Sequence, residues 1–310
     1  MPPSHPRTSS VDLDSPDRPF DNIINFRDVG RSINSIVGRN VLKEGVLYRS
    51  ARLDDASERD KRRLTDELHI ATVIDLRSST EHNMAIAKRL ADRGGASDST
   101  SSAPVSDENV HLPDLPGVRR CLISLTGKAF ERSLVWKLDW WNFFKVLALA
   151  ASGYRPDAVI LVGEQVMTPR GLTGLGRDTL DSSTAELREI LELFAAPDGA
   201  AYPVLVHCTQ GKDRTGLVIL LLLLLTGAVA EDALAADYVR SEAELVVEVE
   251  ERMKEIRKLG LNEDYTKCPP GFTRDIRAYL DERYGGVEAY LRDVGVGPEK
   301  LDAIKRALLA

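Results

Sequence analysis

Runs of β-branched residues alternating with helical patterns predict an α/β fold, a mostly parallel central sheet flanked by helices. The runs that carry this reading are Ala71-Thr72-Val73-Ile74-Asp75-Leu76 and Val204-Leu205-Val206, apolar enough for strands covered on both faces. A short polar loop then leads from the second run into the apolar stretch 215–225, as in a strand–loop–helix unit.

Taken in order, residues 1–19 are polar and proline-rich and predict a disordered tail, with no apolar centre of the kind a secretory signal needs. Residues 20–310 then form a single domain. Residues 45–50 read as a short strand, and 53–68 as a charged helix capped by Asp54, Asp55 or Ser57. The 71–76 strand is followed by a polar stretch, 78–81, that opens a helix. Residues 92–116, rich in Gly, Ser, Asp and Pro, predict a flexible insertion.

Residues 120–124 are a further strand. The stretch 133–151, with Trp136, Trp140, Trp141, Phe143 and Phe144, predicts one amphipathic helix packed on the core. Residues 159–162 are short and apolar and fit either a helix or a strand. Ser182-Ser183-Thr184-Ala185-Glu186 has the form of a helix N-cap leading into 187–194. Two or three amphipathic helices fill 231–309, broken at Gly260, Pro269-Pro270 and Gly285-Gly286.

A net charge of -7 over 310 residues argues against nonspecific nucleic-acid binding, which needs a basic footprint. An anionic substrate must therefore be drawn by a local positive site. Three cysteines, Cys121, Cys208 and Cys268, are too few and scattered for a disulfide framework, which points to a reducing compartment, the cytoplasm. The apolar run 217–225 falls well short of the roughly 18–20 residues of a membrane span, so no stable membrane insertion is expected.

The chemistry concentrates in His207-Cys208-Thr209-Gln210-Gly211-Lys212-Asp213-Arg214-Thr215-Gly216. Ligands bind at the carboxyl ends of parallel strands, and this loop leaves one. Its successive amides and the start of the following helix make a cradle for an anion. The same field stabilises a thiolate at Cys208, which can attack phosphorus. Arg214 can fork two donors onto equatorial oxygens, where transition-state charge spreads. Gly211 permits the tight bend and Gly216 a close helix contact. Thr215 can donate to the departing sulfur, and His207 fixes the loop.

A nucleotide-binding loop of the GxxxxGK[ST] kind is excluded, because Asp213 follows Gly211-Lys212 and Val206 stands where the first glycine belongs. Cys121 and Cys268 read as structural or inert thiols. Asp75 with Arg77, and Arg27 with Asp28, read first as buried ion pairs that brace the loop; Arg49 fits the same role.

The loop resembles the Cys-x5-Arg signature of the cysteine-based tyrosine phosphatases. The wider chain is similar to one branch, the tyrosine/serine phosphatases of bacteria and fungi (tyrosine phosphatase family 3). The matching segments are Asn25-Phe26-Arg27-Asp28-Val29-Gly30, Leu47-Tyr48-Arg49-Ser50-Ala51, Val73-Ile74-Asp75-Leu76-Arg77-Ser78, Ala236-Asp237-Tyr238-Val239-Arg240-Ser241 and Tyr284-Gly285-Gly286-Val287.

The resemblance implies the cysteine-phosphatase fold, no metal or other cofactor, and a phosphorylated protein or phosphoinositide as substrate. Phosphotyrosine is the first expectation, with phosphoserine or phosphothreonine beside it. Lys212 adds a cation that favours highly charged substrates. A phosphoinositide phosphatase and a phosphate-binding pseudophosphatase are the alternatives. The general acid does not transfer cleanly: Ser124-Leu125-Thr126-Gly127 stands in the comparable loop and has no carboxylate. Asp213 is the expected replacement, with Asp114 and Asp178 as other candidates.

Overall fold

Among the described residues five strands, β1 (Arg27–Asp28), β2 (Leu47–Ser50), β3 (Thr72–Asp75), β4 (Arg119–Leu122) and β5 (Val204–His207), form one sheet in the order β1-β2-β5-β3-β4. β1 pairs antiparallel with β2; every other pairing is parallel. The computed structural model describes residues 20–94, 111–196 and 199–310.

Helix α1 (Val29–Val37) follows β1. Between β2 and β3 lies α2 (Glu58–Arg62), extended by a π-helical turn (Arg63–Glu67), and α3 (Ser79–Gly94) follows β3. Between β4 and β5 run α4 (Lys128–Val135), α5 (Trp140–Ala151), α6 (Arg155–Val162), α7 (Thr168–Ser182) and α8 (Thr184–Phe194). After β5 come α9 (Asp213–Thr226), α10 (Glu231–Glu244), α11 (Val249–Arg257), α12 (Phe272–Tyr284), α13 (Val287–Asp293) and α14 (Pro298–Leu308).

Strand side chains alternate between two apolar layers, as a two-residue repeat demands. Leu47, Ile74, Val204 and Val206 face the large core formed with α8, α9, α12 and α14. Tyr48, Val73 and Leu205 face a second core with Phe20, Phe26, Leu53 and Leu64. The α/β sheet read from the sequence, covered on both faces, is therefore present. β4 is the exposed edge, which explains why its residues alternate less clearly.

Several element boundaries differ from the sequence reading. The 53–68 helix starts later: of the three expected caps it is Ser57 that forms a capping box with Asp60 and opens α2, while Asp54 turns to Arg77. The 133–151 helix is two, because the Asp139 carboxylate accepts from the Trp141 and Asn142 amides and starts a new helix. Nor does α5 bury its aromatic residues; Trp140 and Trp141 are 71% and 81% exposed, and Val146 is its buried residue. Its apolar residues surround the helix instead of forming one stripe, and Trp136 stacks on Phe143. Residues 159–162 are helical, in α6. Ser183 precedes α8 as expected, but its hydroxyl donates to the Leu125 carbonyl and not to the helix end. The region 231–309 holds more helices than expected, α10 to α14, with extra breaks at Leu245 and Val294.

Residues 1–19 and 95–110 lie outside the described residues, so the expected tail and the middle of the expected insertion are not described. Residues 92–94 end α3, and His111 and Leu115 are buried. No helix among the described residues is long and apolar enough to cross a membrane.

Candidate active site

Ser50, Asp75 and His207 stand in register at the carboxyl ends of β2, β3 and β5. The chain leaves the sheet there at Cys208 and enters α9 at Asp213. Loop carbonyls are held from outside. The Arg52 amide donates to the Thr209 carbonyl (3.1 Å), Asn25 Nδ2 to that of Gln210 (2.8 Å) and Arg49 Nη2 to that of Gly211 (2.7 Å). In a planar trans peptide a carbonyl turned outward points the next N–H inward. Among the described residues, no protein acceptor takes the amides of Thr209, Gln210, Gly211 or Lys212. With the first turn of α9 they form a concave set of donors suited to an oxyanion.

Gly211 is required for this shape. Its φ is +65°, and a Cβ there would lie 2.0 Å from the Ser50 carbonyl oxygen. At Gly216 a Cβ would meet the Tyr238 ring at 3.1 Å, so α10 packs close to the start of α9. Cys208 is buried at the base of the cradle. The Thr215 hydroxyl is buried and has no hydrogen-bond partner among the described residues, which leaves it available to the sulfur.

Arg214 is gripped end-on by Glu81 of α3, with Nη1 donating to Oε2 at 2.5 Å and Nη2 to Oε1 at 2.6 Å. Thr209 Oγ1 also donates to Glu81 Oε1. Burial alone raises the Glu81 carboxyl, but the Arg214 charge and these hydrogen bonds outweigh it and hold the acid well below the usual range. Burial opposes the Arg214 charge, and Glu81 more than restores it. Among the described residues the Arg214 Nε has no hydrogen-bond acceptor, so the Nε/Nη2 edge of the guanidinium is the fork left for phosphate. Thr126 Oγ1 lies 3.3 Å from Arg214 Nη1, which brings the carboxylate-free loop 124–127 to the site.

Behind the loop, His207 is fully buried, 3.6 Å through Nε2 from Asp75 Oδ2. Asp75 also binds Arg77 Nη2 at 2.8 Å, and Arg77 reaches Asp54 at 2.6 Å. Asp75 and Arg77 thus form a buried ion set behind the cradle. Arg27 does not pair with Asp28, contrary to the sequence reading. Asp28 caps α1 and accepts from the Gly45 amide, whereas Arg27 pairs with Asp237 of α10 at 2.8 Å. Asp237 also binds Arg49 Nη1 at 2.8 Å.

Lys212 departs from the expectation of a substrate-facing cation. Its side chain is fully buried, and Nζ donates to the carbonyls of Tyr265 (3.2 Å) and Lys267 (2.5 Å). The ammonium ties the loop to the helical region and points away from the cradle, because those carbonyls offer it better satisfaction than an exposed rim. Asp213 is about one-third exposed; Tyr238 donates to its Oδ1 at 3.3 Å, and the Lys212 ammonium lies 3.4 Å from the same oxygen. Of the other acid candidates, Asp178 is buried in α7 with Arg170 and Lys137, and Asp114 is exposed before β4.

Sequence reading missed Glu81 and Asp237 as site residues. Glu81 was visible only as part of the polar stretch opening a helix, though its place just past a central strand end was a usable signal. Asp237 was visible only inside the matching segment 236–241, and its role was hidden because its arginines lie 210 and 188 residues away.

A mostly parallel sheet, a cysteine loop and an arginine beside an amide cradle have the form of a cysteine-based phosphatase site. The chain belongs to the tyrosine phosphatase family, whose model matches residues 18–310. It is similar to the triple specificity protein phosphatase PtpB of Mycobacterium tuberculosis, at 29% identity over 308 residues, covering 92% of this chain and 96% of that protein. A tyrosine-protein phosphatase of Nostoc commune is 29% identical over 137 residues, 41% of this chain and 45% of that one.

Proposed function

We propose that this chain hydrolyses phosphotyrosine in proteins through a phosphocysteine intermediate. The observation that carries it is a cysteine beneath a ring of unclaimed amides, beside an arginine with one free fork. The Cys208 thiolate attacks phosphorus, and the bond to the tyrosyl oxygen breaks. Asp213 gives its proton to the leaving oxygen. In the second step Asp213 takes a proton from water as the water oxygen bonds phosphorus, and the S–P bond breaks. Thr215 donates to the departing sulfur. Arg214 and the loop amides of residues 209–212 hold the oxygens, most tightly when charge spreads over them. His207, Asp75, Arg77 and Arg27 support the loop from behind.

The mycobacterial relative is named a triple specificity phosphatase, which supports a substrate range wider than phosphotyrosine alone. A phosphoinositide reading loses its residue-level support, since the Lys212 ammonium is committed to backbone carbonyls. Free thiols at Cys121, Cys208 and Cys268 suit a reducing compartment, the cytoplasm.

Purified protein should turn over p-nitrophenyl phosphate in chelator, be blocked by vanadate and lose turnover in Cys208→Ser. A panel of phosphotyrosine, phosphoserine and phosphoinositide substrates then ranks the class. Tight phosphate binding without any turnover would make the protein a pseudophosphatase and overturn the reading.

A further inference from the structure

The ion sets around the phosphate loop differ in their charge balance. Arg214 is neutralised by Glu81. Arg77 is shared by Asp75 and Asp54, an excess of negative charge behind His207. Lys212 has Asp213 beside it, 3.4 Å away. The set formed by Arg27, Asp237 and Arg49 is different: one carboxylate serves two arginines, and all three side chains are at most 2% exposed. Ser32 Oγ donates to the same carboxylate at 2.9 Å. Arg49 Nε has no hydrogen-bond partner among the described residues, and Arg49 Nη2 is 2.7 Å from the Gly211 carbonyl. The Lys212 carbonyl lies 3.4 Å from the same nitrogen.

We propose that Arg49 is a positioning residue for the anion site, acting through Gly211 and through the surplus positive charge that it and Arg27 leave around Asp237. Its fork pulls the Gly211 carbonyl outward, which aims the Lys212 amide inward. Its half-compensated charge sits under a loop that must hold a dianion and a thiolate, where low dielectric makes a fixed charge felt. Burial and the Arg27 charge both weaken the hold of Arg49 on its proton, to about 10, so it stays charged at neutral pH. The other titratable groups facing it are Asp237, Cys268, and the Asp213–Tyr238 pair across Gly216. This inference rests on the phosphatase reading of Cys208 and Arg214.

The test measures the dissociation constant for tungstate, a phosphate-shaped oxyanion, by calorimetry, with the rate of Cys208 alkylation at pH 5 as a second readout. Arg49→Gln should weaken tungstate about tenfold and slow alkylation, for one charge removed nearby. Asp237→Asn keeps the shape and removes the negative charge, so it should tighten tungstate severalfold and leave alkylation no slower. Arg49→Lys keeps the charge and should fall between wild type and Arg49→Gln.

Opposite signs in Arg49→Gln and Asp237→Asn are the signature of charge, because purely structural damage would weaken both. Two folded variants that shift in the same direction, or do not shift, overturn the proposal. If Arg49→Gln does not fold, Arg27→Gln takes its place, and if Asp237→Asn does not fold, Asp237→Ser does; shifts in the same direction again overturn the proposal. A wild-type protein that ignores tungstate would instead overturn the underlying site reading.

Discussion

Glu81 and Arg214 face each other end-on, their paired contacts at 2.5 and 2.6 Å, so that the acid fixes which edge of the guanidinium is left for phosphate. A free arginine would have to be ordered during the reaction, and this one is already aimed. Glu81→Gln keeps the shape but gives up the charged fork. We expect kcat/KM for p-nitrophenyl phosphate to fall about 100-fold, roughly 2.7 kcal/mol of transition-state stabilisation. Cys208 alkylation should change far less. A variant with wild-type kcat/KM would show that Arg214 needs no aiming.

Gly211 combines a left-handed backbone with a contact that leaves no room for a side chain. Alanine there meets the Ser50 carbonyl oxygen at 2.0 Å and a φ of +65°. Gly211→Ala should cost at least about 2 kcal/mol and abolish oxyanion binding. Gly38 has a comparable φ of +73° with nothing within 4 Å, so Gly38→Ala should cost only about 1 kcal/mol. Urea midpoints for the two variants check the contrast.

These two cases show what the sequence could and could not carry. Gly211, Cys208 and Arg214 lie within a few residues of one another, so their spacing alone set out the cradle. The strands at 71–76 and 204–206 were legible because burial on both faces forces continuous β-branched runs. Glu81 and Asp237 were hidden because their partners are brought near only by the sheet order. The direction of Lys212 was hidden for the same reason: the Tyr265 and Lys267 carbonyls lie 53 and 55 residues on. The exposure of α5 was unreadable because an apolar helix without a polar face gives no orientation.

Asp213 is the acid candidate within the loop itself. If it protonates the leaving oxygen, Asp213→Asn should slow phenyl phosphate about 100-fold or more, within the usual range for general acid catalysis. p-Nitrophenyl phosphate, whose leaving group needs little help, should suffer much less. Equal effects on both substrates would reassign Asp213 to orienting its neighbours Tyr238 and Lys212.

Lys212 makes a prediction of the opposite kind. Its ammonium satisfies two carbonyls in a buried setting, so Lys212→Met should destabilise the fold by about 2–4 kcal/mol. The ratio of phosphoinositide to phosphotyrosine turnover should stay unchanged. A selective loss of phosphoinositide turnover in a stable variant would return the lysine to the substrate.

Acid should unfold this protein in two stages. Burial holds the His207 imidazole below its ordinary value, outweighing the opposing pull of Asp75. His82 and His111 are lowered for the same first reason, burial. Unfolded histidine takes its proton near pH 6.5. Below that pH the unfolded chain binds more protons than the folded one, so stability falls as pH drops. The carboxyls of Asp75, Glu81 and Asp237 behave otherwise: burial raises them, but neighbouring cations outweigh burial and hold them well below the usual range. Their contribution is complete above the unfolded values of about 4 and is lost as pH falls toward the folded ones. Urea unfolding at pH 7.5, 5.5 and 4.0 should therefore show a first loss, carried chiefly by His207 at about 1 kcal/mol per pH unit, then a steeper one. His207→Gln should flatten the first stage and leave the second. Stability that rises between pH 7.5 and 5.5 would mean that His207 is charged in the folded protein, paired with Asp75 as an ion.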